Sequence, residues 1–256
     1  MAILKEFKAD RLLVKVFSDR AEMGIVSASE AAEYLKRLLA EQEEIGVIFA
    51  AAPSQNEFLA ALISDSEIDW TRVNAFHMDE YIGLDPVHPA GFRNFLRERV
   101  FSRAAFKTVN YLNGNASDPK AEAARYGKLL DDNSPEVCLM GIGENGHIAF
   151  NDPPTADFND KAKVKIVKLD EHCRMQQVND GCFETIGQVP THALTVTIPG
   201  LMAAKALFCM VPAPTKADAV CDAINGPVST SCPASILRTH ENARLYLDAD
   251  AGRYIL

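Results

Sequence analysis

The chain has no CxxC pair, no apolar run long enough to cross a bilayer, no Pro/Gly/Ser-rich linker, no low-complexity tract and no internal repeat. Each absence closes a class. The six cysteines (Cys138, Cys173, Cys182, Cys209, Cys221 and Cys232) are scattered without metal-ligand spacing. That argues against both a zinc module and a disulfide framework. Several lie inside apolar runs, such as Leu207-Phe208-Cys209-Met210-Val211, and read as buried reduced thiols. A membrane-spanning helix needs about 20 apolar residues in succession, so none is expected. The opening Met1-Ala2-Ile3-Leu4-Lys5-Glu6-Phe7 brings in charge too early for a signal peptide, and a cytoplasmic location is expected. Basic residues are in the minority, with 26 Lys and Arg against 35 Asp and Glu, for a net charge of -9. Nucleic-acid phosphates would be repelled by most of such a surface, although a local basic pocket can still hold a small anion.

What is present is an alternation. With 256 residues, 48% apolar and 24% charged, the chain can build a substantial core. Short apolar runs recur at 12–17, 45–51, 73–76, 137–140, 164–167, 193–198, 206–211 and 243–247. Between several of them lie helical patterns at 27–39, 92–101, 119–130 and 214–224, the first opened by the capping residues Ser27-Ala28-Ser29-Glu30. Strands separated by helices predict an α/β fold: a single three-layer αβα domain over 1–256, with a mostly parallel, Rossmann-like sheet. Ligands of such sheets bind beyond the carboxyl ends of the strands, so the chemistry is expected in the turns there. The stretch 151–163, rich in Asp, Pro and Asn, reads as either a flap beside the site or a surface loop.

Four such turns carry chemical groups. After 47–51 comes Ala52-Pro53-Ser54-Gln55-Asn56-Glu57 and then a helix, where free backbone N–H groups at a helix start suit a phosphate. A plain helix cap by Ser54 or Asn56 would explain the same residues. After 74–76 comes His77-Met78-Asp79-Glu80-Tyr81, whose acids stand where proton transfer to a ligand is feasible. Apolar and aromatic neighbours favour partial desolvation, which raises a carboxylate's basicity. After 137–140 comes Gly141-Ile142-Gly143-Glu144-Asn145-Gly146-His147, followed by Asp152-Pro153. Its glycines match GxGxxG, but His147 follows at once and no acid-tipped strand stands at the usual distance, so no nicotinamide cofactor is expected. After 207–211 comes Pro212-Ala213-Pro214-Thr215-Lys216, a lysine in the first turn of a helix, where an anion would relieve an unfavourable dipole. Arg174 could assist an anion or pair with Glu171, while His172 and His192 have no distinctive context.

Taken together, the motifs resemble the glucosamine-6-phosphate deaminases, or isomerases, of a superfamily shared with 6-phosphogluconolactonases. The resemblance is carried by Phe76-His77-Met78-Asp79-Glu80-Tyr81-Ile82-Gly83-Leu84 with His88-Pro89, by the segment from Gly141 to Pro153, and by His192-Ala193-Leu194-Thr195-Val196, with Leu112-Asn113-Gly114-Asn115 as a weaker echo. It runs from about residue 45 to residue 240 and favours the deaminase branch. It implies deamination of a hexosamine 6-phosphate to a ketose phosphate. Asp79 would be the base between C2 and C1, and His147 the ring opener, supported by Asp152 and Asn145. Lys216 would hold the phosphate with Ser54, Gln55 and Asn56; Gly143 and Gly146 would shape the turn, and Arg174 would assist. Neither metal nor organic cofactor is required, because the substrate's own nitrogen and carbonyl delocalise charge. The expected partner is a small sugar phosphate, and homo-oligomerisation stays open.

Three departures from the family pattern stand out. Asn145 replaces an aspartate, which removes a charge that could stabilise a His147 imidazolium. Asp152 replaces a glutamate. Ala52-Pro53-Ser54-Gln55-Asn56 replaces a Gly-Gly-Thr phosphate turn. Residues 155–165 only partly match the allosteric site of some family members, so such regulation is expected to be weak or absent. Hydrolysis of a sugar-phosphate lactone, deamination of galactosamine 6-phosphate, and non-catalytic sugar-phosphate sensing are the alternatives.

Overall fold

The computed structural model describes residues 3–256, and Val47-Ile48-Phe49 shows why its innermost strands read as unbroken apolar runs. All three residues are buried, Val47 and Phe49 in one core and Ile48 in a second. Successive strand side chains point to opposite faces, so a run without a polar break implies a sheet covered on both sides.

In chain order the elements are β1 (Ile3–Ala9), β2 (Leu12–Phe17), α1 (Arg20–Glu41), β3 (Ile45–Phe49), α2 (Asn56–Ile63), β4 (Val73–His77), β5 (Asp79–Tyr81), α3 (Phe92–Leu96) and β6 (Thr108–Asn110). Then follow α4 (Pro119–Asn133), β7 (Val137–Met140), β8 (Val164–Lys168), α5 (Glu171–Asn179), β9 (His192–Val196), α6 (Ile198–Met202), β10 (Ala206–Val211), α7 (Ala217–Asn225) and β11 (Ala243–Asp248). Eight strands form one sheet in the order β1-β2-β11-β10-β7-β3-β4-β6, parallel at every pairing except the β1–β2 hairpin. Helices α1, α2 and α3 contribute to the core on one face; α4, α6 and α7 contribute to the core on the other. The three-layer, mostly parallel sheet predicted from the alternation is present. No helix among the described residues is long and apolar enough to cross a membrane.

Two expectations need correction. The first helix starts at Arg20, not Ser27: Asp19 caps it by accepting the Glu22 N–H at 2.9 Å. Ser27 is tolerated inside the helix because its buried hydroxyl donates back to the Met23 carbonyl at 2.7 Å. The runs at 164–167 and 193–198 do not join the parallel sheet. They form β8 and β9 of a second, three-stranded sheet, in which β9 lies in the middle and pairs antiparallel with β8 on one side and β5 on the other.

The strand order places the crevice. From β3 the chain builds outward through β4 to β6, then returns to the other side of β3 with β7 and continues through β10. Above β3 and β7, neighbouring crossovers therefore leave in opposite directions, and the carboxyl ends of the strands open into a gap. The small sheet roofs one side of it by holding β5 just beyond β4.

Gly114 seats that roof. It accepts the Gly83 N–H at 3.0 Å, and a Cβ added to it would lie 1.8 Å from the Tyr81 carbonyl oxygen. Gly114→Ala is expected to cost about 1–3 kcal/mol or more in urea unfolding, because the clash is with backbone. Gly187→Ala, whose new Cβ would meet only Thr185 Oγ1 at 3.8 Å, is the matched control and should be close to neutral. Equal losses would remove this account of how β5 is seated.

Candidate active site

Four carboxyl-terminal turns, those after β3, β4, β7 and β10, face one cleft, and α5 closes its far wall. The turn after β3 makes one 3-10 turn, Pro53–Gln55, before α2 begins. Ser54 and Gln55 line the cleft. Gln55 is locked there, its Nε2 donating to the Met210 carbonyl at 3.1 Å and to Ser54 Oγ at 3.1 Å. Asn56 turns away, because its Oδ1 accepts from Arg99 Nε at 2.9 Å, and it does not line the cleft.

The turn after β4 is bolted by His77. Leu112 N–H donates to Nε2 at 3.0 Å, so Nδ1 carries the proton and donates to the Asp79 carbonyl at 2.9 Å. Burial pushes the His77 pKa down to about 4, and the ring stays neutral. Tyr126 clamps the same residue, its hydroxyl accepting the His77 N–H and donating to the His77 carbonyl, each at 2.9 Å. One residue on, the strand alternates. Asp79 enters the cleft, whereas Glu80 points away and accepts the N–H groups of Tyr81, Phe92 and Arg93, capping α3. The adjacent acids thus have separate tasks. Asp79 is buried, and no donor among the described residues reaches its carboxyl group. Burial, and secondarily the charge of Glu80, raises its pKa well above the ordinary aspartate value.

The turn after β7 is shaped around the imidazole. A Cβ at Gly143 would fall 2.1–2.4 Å from three ring atoms of His147, so only glycine admits the ring. Gly146 has φ +80 and lies against Cys232, where a Cβ would be 2.8 Å from Sγ; it supports the turn from behind without lining the cleft. His147 Nδ1 lies 2.7 Å from Asn145 Oδ1 and 2.9 Å from Asp152 Oδ1, and Asn145 Nδ2 donates to the same Asp152 oxygen at 3.0 Å. Burial pushes the Asp152 pKa up, but its bonds to His147 and Asn145 outweigh this and hold it below the usual carboxylate value. An ionised carboxylate therefore touches His147 even though position 145 is an amide. The stretch after it is anchored rather than flap-like at its start, since Asn151 and Asp152 are fully buried and Asn151 Nδ2 donates to Ile148 and Val196 carbonyls.

The turn after β10 delivers Lys216, the last residue of the 3-10 turn Pro214–Lys216. It is buried, not solvent-facing, and its Nζ has no hydrogen-bond partner among the described residues. Burial lowers its pKa, against the opposing pull of Asp180 and Glu144. The turn is strained: Ala213 has φ 89 and ψ 147, a conformation essentially reserved for glycine. Its N–H donates to both carboxylate oxygens of the buried Asp248, at 3.2 and 3.0 Å, which holds the strain in place.

Arg174 stands apart from this group. Its Nη2 staples the 186–189 loop by donating to the Ile186 and Val189 carbonyls at 2.7 and 2.8 Å, and it neither lines the cleft nor pairs with Glu171. Sequence reasoning missed Arg20, Gln176, Gln177 and Asp180, all of which line the cleft. The Asp19-to-Glu22 spacing, a capping pattern, would have revealed the helix start that carries Arg20. Helix α5, with few apolar residues, gave no periodic signal. Ligand atoms of His147, Asp152 and Cys173 come within 4.8 Å of one another. Burial raises the Cys173 thiol well above its usual pKa.

The burial of Asp79 has a consequence for stability. Folding favours its protonated form, so above the ordinary value of 3.8 the native state binds more protons than the unfolded chain. Stability from this residue falls as pH rises from there through the raised native value. Asp79→Asn removes that titration. Its melting temperature should exceed that of the wild type on the high-pH side of this window, and the gap should close below about pH 3.8. Scanning calorimetry across pH checks this, and parallel profiles for the two proteins would contradict it.

Comparison with known proteins agrees with the geometry. The family described as glucosamine-6-phosphate isomerases/6-phosphogluconolactonase matches residues 18–246. The glucosamine-6-phosphate deaminase of Listeria welshimeri is 35% identical over 209 residues, covering 82% of this chain and 87% of that protein. The deaminase of Exiguobacterium sibiricum is 38% identical over 185 residues, 72% of this chain and 71% of that one. Among solved structures, a monomeric glucosamine-6-phosphate deaminase superposes with a TM-score of 0.85 at 27% identity, covering 94% of this chain and 98% of that chain. The 6-phosphogluconolactonase of Trypanosoma brucei shares the fold, with a TM-score of 0.75 at 17% identity over 95% and 98% of the two chains. The fold, the cleft and the extent of these matches together make the chain a member of the glucosamine-6-phosphate isomerase/6-phosphogluconolactonase family.

Proposed function

We propose that this protein is a glucosamine-6-phosphate deaminase, converting D-glucosamine 6-phosphate and water to D-fructose 6-phosphate and ammonium. The observation that carries this reading is the meeting of Asp79, His147 and Lys216 in one cleft from three separate turns.

The chemistry follows from their surroundings. With Nδ1 engaged by Asn145 and Asp152, the His147 ring has Nε2 left to shuttle a proton between the anomeric hydroxyl and the ring oxygen, opening the pyranose. The Asp152 carboxylate fixes the ring's orientation and stabilises the imidazolium formed in passing. Asp79 then removes the C2 proton to give an enolamine and returns it at C1. Its buried, unpartnered carboxylate is a stronger base than one in water, which suits a carbon acid. Water adds to the resulting C2 imine, and ammonium leaves as the ketone forms. Lys216 and the 53–55 turn hold the phosphate, which fixes C1 and C2 against Asp79. The absence of charged neighbours competing for Lys216 Nζ by hydrogen bond leaves that group available to the ligand. A cytoplasmic location for the reaction is part of the same proposal.

Asp79→Asn is expected to lower ammonia release at least 10²- to 10⁴-fold, roughly the worth of one general base, while calorimetry still detects D-fructose 6-phosphate binding. Near-normal turnover would overturn the base assignment. If the variant were inactive on the amino sugar but the wild type hydrolysed a 6-phosphogluconolactone instead, the lactonase reading would replace this one. His147→Gln should slow the cyclic substrate more than a preformed open-chain analogue; equal losses on both would remove the ring-opening role.

A further inference from the structure

Arg20 is the first residue of α1, and its guanidinium borders the same cleft as Lys216. A single nitrogen, Nη2, does all of its bonding within the protein. It donates to the Pro53 carbonyl at 3.0 Å and to Glu57 Oε2 at 2.7 Å. The first of these bonds sets the guanidinium directly on the turn that presents Ser54 and Gln55. Its Nε is buried and has no acceptor among the described residues. Two cationic groups facing one cleft, Arg20 and Lys216, thus each keep a buried donor unsatisfied, a costly arrangement unless a ligand supplies the acceptors. Both come from elements that meet at the 53–55 turn, one from the start of α1 and the other from the end of β10.

The charge balance of the cleft points the same way. Asp180 lines it too, and its field acts on Lys216. A phosphate dianion facing Lys216 alone would remain strongly uncompensated beside that carboxylate. A guanidinium supplies a second positive charge in a planar fork matched to phosphate oxygens. Glu57 offsets part of this charge, but it engages Nη2 alone and leaves Nε free to reach a ligand.

We propose that Arg20 is a second cationic ligand of the substrate's phosphate group, approaching from α1 while Lys216 approaches from β10, with Glu57 and the Pro53 carbonyl orienting its guanidinium. The assignment rests on the sugar-phosphate reading of this cleft.

The test compares Arg20→Gln with Glu57→Gln. Binding of D-fructose 6-phosphate is followed by calorimetry, with inorganic phosphate as competitor, beside ammonia-release kinetics. Arg20→Gln should weaken D-fructose 6-phosphate binding about 10- to 100-fold, the worth of a charged hydrogen bond. It should raise KM for D-glucosamine 6-phosphate by more than it lowers kcat. Glu57→Gln should bind the phosphate as tightly as the wild type or more tightly, since it removes a negative charge from the guanidinium. A purely structural Arg20–Glu57 pair predicts the reverse pattern, with both substitutions weakening binding alike, and that result would overturn the proposal. So would unchanged affinity in Arg20→Gln. Should that variant not fold, Arg20→Lys and Glu57→Gln decide between the same outcomes. If the wild type itself binds no hexose phosphate, the sugar-phosphate reading fails, and Arg20 loses its assignment with it.

Discussion

One constraint governs this molecule: a carboxyl group must be held dry, without a protein donor, at the point where the chain leaves one sheet for another. Asp79 sits between β4 of the large sheet and the rest of β5 in the small one. No donor among the described residues bonds to its side chain, so the hydrogen bonds that position it act through its backbone. The neutral, fully buried His77 does this by tying the Asp79 carbonyl to Leu112, while Tyr126 grips both backbone groups of His77. Were the imidazole charged, Nε2 could no longer accept from Leu112, and the turn would lose an anchor. The low His77 pKa, about 4, keeps that from happening in ordinary conditions.

The cleft stores several such costs side by side. Asp79 and Lys216 are buried without partners, and Ala213 occupies a conformation that costs on the order of 1–3 kcal/mol. Each penalty is balanced by bonds to other parts of the chain. Asp248, at the end of β11, pins Ala213; Gln55 is fixed to the end of β10; Glu80 is spent on the first turn of α3. The two apolar cores, filled from opposite faces of the same strands, supply the rigidity that makes these arrangements tolerable.

Much of this was legible in the sequence. The eight apolar runs predicted eight of the eleven strands, most clearly the innermost ones, where full burial on both faces leaves no polar break to confuse the pattern; β1, β5 and β6 gave no such run. The Gly141 to Pro153 segment announced a site because glycine spacing and a histidine rarely coincide without one, and Gly143 is indeed the residue that admits the imidazole. The antiparallel small sheet was not legible, since apolar runs do not say which partner or direction they will take. Which of Asp79 and Glu80 enters the cleft was not readable from the pattern of residues alone, because it depends on strand alternation after a turn whose geometry His77 sets; the family resemblance is what singled out Asp79. Arg174 misled because a basic residue on a helix looks alike whether it serves a ligand or a loop carbonyl. Arg20 was overlooked because it lies at a helix start whose cap, Asp19, was passed over in favour of Ser27.

The amide at position 145 has a consequence for how this site could have evolved. Asn145 offers an oxygen to His147 and an N–H to Asp152, whose oxygen is only 3.0 Å away. An aspartate in its place would set two carboxylates against each other at that separation, with no proton to share. The amide at 145 thus leaves Asp152 as the carboxylate that touches the imidazole. A lineage that regains an aspartate at 145 must therefore also move the acid at 152 back or hold a proton between the two carboxyl groups.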